Sequence, residues 1–426
     1  MSRMLDIDTK LRILVNVGTE CCALRTAFCH CRLPSEKSGQ IAGVIVAKYR
    51  FVQLVDAKIE SPYDYCYFWR SLRLTNSRKG FRYMKLFSLF TQDLAIDLGT
   101  ANTLIIQDGN IVVDEPSIVA MNRRTGETIA VGHRAMQMHE KTHENIKTIR
   151  PLKDGVIADF QAAESMIEGM INMIGNKRRF FTHMKMVICI PSGITEVEKR
   201  AVFDSADHVD SKETYLIYEP MAAALGIGLD VEEPVGNMII DIGGGTTEIA
   251  VIALSGIVCD QSIRTAGDEF TLDIMDYIKR AYNMLIGERT AEQIKIHVGS
   301  ALIELPNPPE DVAVNGRDLM TGIPRQIVIG YSEIAQALDK SVAKIEEAIL
   351  KALETTPPEL ASDIYKTGLY LTGGGALLRG LDVRISERTK LLVHVAEDPL
   401  RAVVRGTGIA LKNTDKFSFL IGRKGV

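Results

Sequence analysis

Three times along the chain an apolar run stops at a turn built from glycines and small polar residues. Leu94-Ala95-Ile96 runs into Asp97-Leu98-Gly99-Thr100-Ala101-Asn102-Thr103, and Met238-Ile239-Ile240 runs into Asp241-Ile242-Gly243-Gly244-Gly245-Thr246-Thr247-Glu248. Late in the chain, Leu369-Tyr370-Leu371 runs into Thr372-Gly373-Gly374-Gly375-Ala376. A second apolar run leaves each of the first two turns, Leu104 to Ile106 and Ile249 to Leu254, so both read as strand, tight turn, strand. The third reads as a strand followed by the opening of a helix.

The remaining pattern alternates between the two periods. Ile111-Val112-Val113 is a strand, with Glu115-Pro116-Ser117 as a turn. Phe160, Met166, Ile167, Met170, Ile171 and Ile174 recur at helical spacing over Asp159 to Ile174. Met186 to Ile190 is a buried strand ending at Pro191-Ser192-Gly193, and Thr195 with Glu198 forms a capping box that opens a helix. Tyr215 to Tyr218 is a strand, and Glu219-Pro220 starts a helix with proline in its first turn. Helices are predicted from Ala266 through about Met284, from Gly287 into a charged stretch, over Ser332 to Leu353, and from roughly Pro399 to Leu411. Leu319 to Pro324 is a loop between two strands.

The turns carry the candidate chemistry. An aspartate at a strand end, followed by backbone amides that no side chain shields, suits a phosphate chain and its metal. Glycine permits close approach of the backbone, consecutive N–H groups make an anion-binding concavity, and a carboxylate can hold a hydrated Mg2+ through water. One such turn is a weak signal. Asp97 and Asp241 head matching patterns 144 residues apart, which means two related domains gripping one ligand from two sides.

At 426 residues the chain is too long for one core, and 46% hydrophobic with 24% charged residues is ordinary for a globular protein. The net charge of −4 hides an asymmetry: residues 1–83 carry 14 Lys/Arg against 7 Asp/Glu, while the rest is acidic. Nothing in the main body points to nucleic-acid binding. Five of the seven cysteines and the only tryptophan also lie in residues 1–83, while Cys189 and Cys259 sit in apolar strand-like runs, a usage that fits a reducing compartment without a disulfide framework. Cys21-Cys22 and Cys29-His30-Cys31 match no common zinc spacing. Residues 1–83 read as an extension of doubtful order or a start-site artefact, because Met84 opens a stretch that looks like a natural beginning.

With these motifs, and Gly287-Glu288-Arg289-Thr290-Ala291-Glu292, the chain resembles the actin-like ATPase superfamily and, within it, the bacterial actins of the MreB family. The resemblance runs from Met84 to the C-terminus and leaves out residues 1–83. It implies an α/β actin-like ATPase fold: two related domains of mixed sheets flanked by helices around a nucleotide cleft. The first domain would span 84–225 with an inserted subdomain at about 114–159. The second would span 226–411 with an insertion at about 264–330, its final helix packing back on the first domain, before a tail at 412–426. ATP or ADP with Mg2+ is the implied ligand. Asp97 and Asp241 would sit at the Mg2+, and Gly99, Thr100, Ala101 and Asn102 with Gly243, Gly244, Gly245 and Thr246 would hold phosphates. Glu288, Arg289, Thr290, Ala291, Glu292 and Lys295 would lie around the ribose and adenine, and Gly373, Gly374, Gly375 and Ala376 would back the adenosine. Glu219 would orient the attacking water, although a carboxylate at a helix start is also favoured by the dipole alone. Family members commonly read Glu-Glu-Pro where this chain has Tyr218-Glu219-Pro220; the second glutamate is kept.

The resemblance further implies a weak ATPase that assembles into paired protofilaments on the inner face of the cytoplasmic membrane. There it would work with morphogenesis and peptidoglycan-synthesis proteins. Phe87, Leu89 and Phe90 form either a small amphipathic anchor or a strand lead-in. Phe180 and Phe181, behind Lys177, Arg178 and Arg179, read as a second membrane contact in preference to the start of the next strand. A small-molecule kinase of the same superfamily is the alternative, but no separate general-base aspartate and sugar pocket stand out. A chaperone ATPase would need a substrate domain, and 50 residues follow Ala376. An inert scaffold is disfavoured because both aspartates, all three turns and Glu219 are present.

Overall fold

Two sheets of one design form the frame. A computed structural model describes residues 91–174, 183–209 and 211–422; Phe87, Leu89, Phe90, Phe180 and Phe181 lie outside the described residues. The first half begins with a meander of β1 (Thr91–Leu98), β2 (Asn102–Gln107) and β3 (Asn110–Pro116). A small antiparallel sheet follows, made of β4 (Val119–Asn122), β5 (Thr128–Val131) and, after the short helix α1 (His133–Met138), β6 (Ile146–Ile149). Then come the hairpin β7 (Leu152–Lys153) and β8 (Val156–Ile157), α2 (Phe160–Met173), β9 (His183–Ile190), α3 (Glu196–His208), β10 (Ser211–Tyr218) and α4 (Glu219–Gly226).

The second half repeats the plan with a meander of β11 (Asn237–Ile242), β12 (Thr247–Ala253) and β13 (Gly256–Ile263). Its insertion comprises α5 (Gly267–Tyr282), β14 (Met284–Leu285), α6 (Glu288–Val298), β15 (Val312–Asp318) and β16 (Pro324–Ile329). There follow α7 (Tyr331–Thr355), α8 (Pro358–Thr367), β17 (Leu369–Thr372), α9 (Leu381–Thr389), β18 (Val393–Val395), α10 (Ala402–Lys412) and β19 (Ile421–Gly422).

Strand order makes the duplication explicit. The first sheet reads β3-β2-β1-β9-β10, with β19 added at its edge, and the second reads β13-β12-β11-β17-β18. In both, the first two pairings are antiparallel and the next two parallel. Side chains alternate across a strand, and that alternation sorts the core. Leu94, Ile96 and Leu98 pack toward α2 and α3, while Ala95 packs on the other face with Val187, Cys189 and Ile217. Met238, Ile240 and Ile242 pack toward the helices of the second half, while Ile239, Ala250 and Ile252 join Ala95's cluster. That shared cluster is built on α4 and α10, which therefore lie between the sheets. Asp97 and Asp241 have the parity of Ala95 and Ile239, so both face this middle layer.

Most predicted elements form, with instructive shifts. The Thr195 capping box is present: Glu198 N donates to Thr195 Oγ1 at 3.3 Å and Thr195 N to Glu198 Oε2 at 2.8 Å. The third glycine turn opens no α-helix. It makes one 3-10 turn over Gly374–Leu377, and α9 begins only at Leu381. Gly373 takes φ 77°, and glycines in succession lack helix propensity, so a single tight turn is what this stretch supports. The last helix likewise starts at Ala402, after a 3-10 turn over Pro399–Arg401.

The middle layer leaves no slack. A Cβ on Gly406 would land on the carbonyl oxygen of Ala222, and one on Gly226 on that of Ala402. The two helices thus cross backbone to backbone, which only glycine at both positions permits. Gly406→Ala should lower stability by about 3 kcal/mol, although alanine is intrinsically the better helix former by roughly 1 kcal/mol. Urea unfolding of the variant checks this; a midpoint at or above wild type contradicts the close crossing.

Candidate nucleotide site

Each phosphate-type hairpin is a register consequence of its meander. In the first, Asp97 stands opposite Leu104 on β2 and beside Cys189 on β9; in the second, Asp241 stands opposite Glu248 on β12 and beside Thr372 on β17. The turn after Asp241 is closed by Gly243 N donating to Thr246 O at 2.9 Å. It also meets the start of α5, where Gly267 N donates to Gly243 O at 3.1 Å and Asp268 N to Gly244 O at 2.7 Å. The first turn is braced by Ser117, whose Oγ donates to Gly99 O at 2.6 Å and whose N donates to Ala101 O at 2.9 Å.

The two turns face each other. A Cβ on Gly244 would lie 2.7 Å from the Ala101 side chain and one on Gly245 2.7 Å from Thr100 Oγ1, so Thr100 and Ala101 abut Gly244 and Gly245 across the cleft. The β7–β8 turn joins them, with Gly155 N donating to Thr100 Oγ1 at 3.0 Å. Asn102, the first residue of β2, is exposed. Gly373 backs onto Asp241 and Ile242, and Gly375 onto the Ile242 side chain, so Gly373 to Ala376 sits beside the second hairpin.

The acids of this cleft crowd one another. Burial, and next the charge of Asp241, push Asp97 up to about 7. Burial pushes Asp241 up to about 6, with Thr372 Oγ1 donating to its Oδ1 at 2.8 Å and holding it down in part. Glu219, the first residue of α4, is pushed well above the carboxylate range by burial and then by Glu248, Asp241 and Asp97. Two recessed carboxylates on opposing turns, with a surplus of negative charge, fit a hydrated divalent cation that takes few protein ligands. Asp97 and Asp241 would hold it.

The six predicted positions on α6 divide. Glu288, Glu292 and Lys295 share one face. Lys295 Nζ donates to Gly267 O at 2.8 Å and pairs with Glu292 at 2.6 Å, while Thr271 Oγ1 donates to Glu292 at 2.8 Å. Thr290 is half-buried, Ala291 is buried in the second-half core and Arg289 is exposed, because one step along a helix turns the side chain away. Glu288 meets groups the sequence did not single out: Arg150 at 2.7 Å, His139 at 3.2 Å and, through its backbone N, Glu140 at 3.2 Å. Arg150 also reaches Asp268 at 3.6 Å. These partly exposed pairs join the two halves at the cleft mouth. Glu248, Ser192, Thr372 and Cys189 were also missed as site neighbours. A glutamate in a strand buried at every position was the signal that could have marked Glu248.

Two duplicated α/β lobes closing on paired Asp-tipped hairpins are the architecture of an actin-like nucleotide-binding protein. The MreB/Mbl protein family model matches residues 91–419, and the chain belongs to that family. It is 48% identical over 336 residues to the cell shape-determining protein MreB of Escherichia coli K12, covering 78% of this chain and 96% of that protein. It is 47% identical over 329 residues to the cell shape-determining protein Mbl of Bacillus subtilis 168, covering 77% and 98%. Among solved structures, MreB5 of Spiroplasma citri bound to AMPPNP superposes with a TM-score of 0.72 at 38% identity, covering 76% of this chain and 97% of that one; the same protein has also been solved with ADP.

The raised carboxylates make stability depend on pH. Between the unfolded value of 3.8 and the folded values of about 7 and 6, the folded protein keeps protons that the unfolded chain has released. The stability these two groups contribute is therefore full below pH 3.8 and is lost as pH rises toward 7. Asp97→Asn should raise the melting temperature of the nucleotide-free protein at pH 8, with the gain shrinking as pH approaches 4. Thermal unfolding from pH 5 to 8 checks this, and no gain at pH 8 contradicts it.

Proposed function

We propose that the chain binds ATP with Mg2+ between its two hairpins, hydrolyses it slowly, and uses the bound nucleotide to control assembly into membrane-associated filaments that help set cell shape. The observation that carries this reading is the meeting of Thr100 and Ala101 with Gly244 and Gly245, which brings the two phosphate-type turns together. The relatives named as cell shape-determining proteins and the AMPPNP- and ADP-bound MreB5 support it.

In this reading, amides of Gly99 to Asn102 and Gly243 to Thr246 hold the phosphates. Asp97 and Asp241 would hold a hydrated Mg2+, which would neutralise phosphate charge. Glu292 and Lys295 line the base and sugar side with Glu288, and Gly373 to Ala376 backs the adenosine. Glu219 accepts a hydrogen bond from the attacking water. Hydrolysis of this kind depends on positioning and charge more than on covalent chemistry, and a rigid helix start is a suitable mount.

Assembly as paired protofilaments, a place on the inner membrane face and work with peptidoglycan-synthesis proteins belong to the same proposal. Among the described residues no helix is long and apolar enough to cross a membrane. Contact would come instead from Phe87, Leu89 and Phe90 and from Phe180 and Phe181, with Lys177, Arg178 and Arg179 each contributing about 1 kcal/mol against anionic headgroups.

Two experiments test this. Glu219→Ala should lower ATP hydrolysis by about 100-fold or more while ATP still binds, measured by phosphate release and by fluorescent-nucleotide titration. Wild-type protein with ATP and lipid should form filaments in negative-stain micrographs, and none across nucleotide and lipid conditions would sink the proposal. Separately, Phe180→Ser/Phe181→Ser should lose co-sedimentation with anionic liposomes; unchanged pelleting removes that membrane contact.

A further inference from the structure

Strand β12 is buried at every position, and Glu248, its second residue, has no exposed surface. An ionised carboxylate so placed is strongly unfavourable unless hydrogen bonds surround it. Three donors do. Ser262 Oγ donates to Oε1 at 2.6 Å, while Ser192 Oγ and Ser192 N both donate to Oε2, at 2.5 Å and 3.2 Å. Ser262 lies on the neighbouring strand β13, directly opposite Glu248, so that bond stays within one lobe. Ser192 belongs to the other lobe, two residues past the end of β9. Gly193 follows the same path, its α-carbon facing Ser262 so closely that a Cβ would stand 3.1 Å from the serine's own.

The strand registers say what this pair ties together. Ile190, the last residue of β9, stands beside Tyr218, the last residue of β10, and the next residue is Glu219. On the other side Glu248 stands opposite Asp241. One hydrogen-bonded pair therefore links the strand end that carries Glu219 to the strand end that carries Asp241 and the second phosphate-binding turn. The cleft-mouth pairs lie far along each insertion, whereas this one sits at the floor, inside the protein and shielded from salt.

We propose that Glu248, held across the lobes by Ser192, is a positioning residue for hydrolysis that fixes where Glu219 stands relative to the phosphate-binding turn of the second lobe. This rests on the reading of Glu219 as the residue that orients water. Neither Ser192 nor Glu248 lies within the turns Gly99 to Asn102 and Gly243 to Thr246, so the pair governs turnover rather than nucleotide affinity. A displacement of about 1 Å at a reacting centre lowers rate by about 100-fold, and loss of one tie should fall short of that.

The test is single-turnover hydrolysis and ATP binding by full-length protein carrying Ser192→Ala, Ser192→Thr, Glu248→Gln, Glu248→Ala or Glu219→Ala. Ser192→Ala and Glu248→Ala should each slow hydrolysis by about tenfold, with ATP affinity within about threefold of wild type. Ser192→Thr, which keeps the hydroxyl, and Glu248→Gln, which keeps an acceptor and the side-chain length, should recover much of the rate. A Ser192→Ala/Glu248→Ala double variant should be no slower than the slower of its two single variants, because both remove one interaction. Should Glu248→Ala fail to fold, Ser192→Ala and Ser192→Thr decide alone. Wild-type hydrolysis by Ser192→Ala beside an inactive Glu219→Ala overturns this proposal alone. So does a loss that tracks ATP affinity or that Ser192→Thr does not recover. Wild-type hydrolysis by Glu219→Ala overturns the role of Glu219 and this proposal with it.

Discussion

Like charge in a dry cleft is the constraint that the rest of this molecule answers. Burial raises Asp97 and Glu219 most, and every charge that shifts them further is negative. Such a site sheds its charge by keeping protons or by taking in positive charge with a ligand. Asp97 and Asp241 stand on different lobes, so the contacts that hold the lobes together lie outside the site itself.

The two places where the lobes meet divide that work by stiffness. At the α4–α10 crossing, Gly226 and Gly406 bring backbone against backbone, and the shared core of Ala95, Ile217, Ile239 and Ile252 wraps the pair. Movement there would open a cavity or force an overlap, each costing several kcal/mol. At the mouth, Arg150 and Glu288 form a partly exposed ion pair of the kind that contributes roughly 1 kcal/mol or less, and His139 hydrogen-bonds to the same carboxylate. The crossing is therefore the stiff contact between the lobes and the mouth the weak one. Glu219, as the first residue of α4, stands on the stiff side of this division.

How much of this the sequence made legible depends on range. Local pattern sufficed for the strands, for the capping box at Thr195 and for the duplication, because the Asp-headed turns repeat. Period-two alternation even sends Asp97 and Asp241 toward one layer, since both share parity with small or apolar residues of the middle cluster. What could not be read were pairings made by folding. Ser192 and Glu248 are 56 positions apart and sit on different lobes. Arg150 and Glu288 belong to different insertions. The charged stretch after Gly287 looks like one block in sequence, whereas a helix distributes it, sending Ala291 inward and Arg289 outward while Glu288, Glu292 and Lys295 share a face. The third glycine turn looked like a helix opening because strand-then-helix is the usual order; its glycines stop at a single 3-10 turn.

The duplication is also imperfect in a way that matters. The position beside Asp241 on the parallel strand is Thr372, and the corresponding position beside Asp97 is Cys189. Thr372 gives Asp241 a hydroxyl at 2.8 Å, which favours its ionised form. Asp97 has no such donor among the influences that set its charge, and it settles at about 7 against about 6. The two hairpins, built on one plan, thus differ in the group that stands beside each aspartate on the parallel strand, a hydroxyl in the second lobe and a thiol in the first, and only the hydroxyl favours the ionised form.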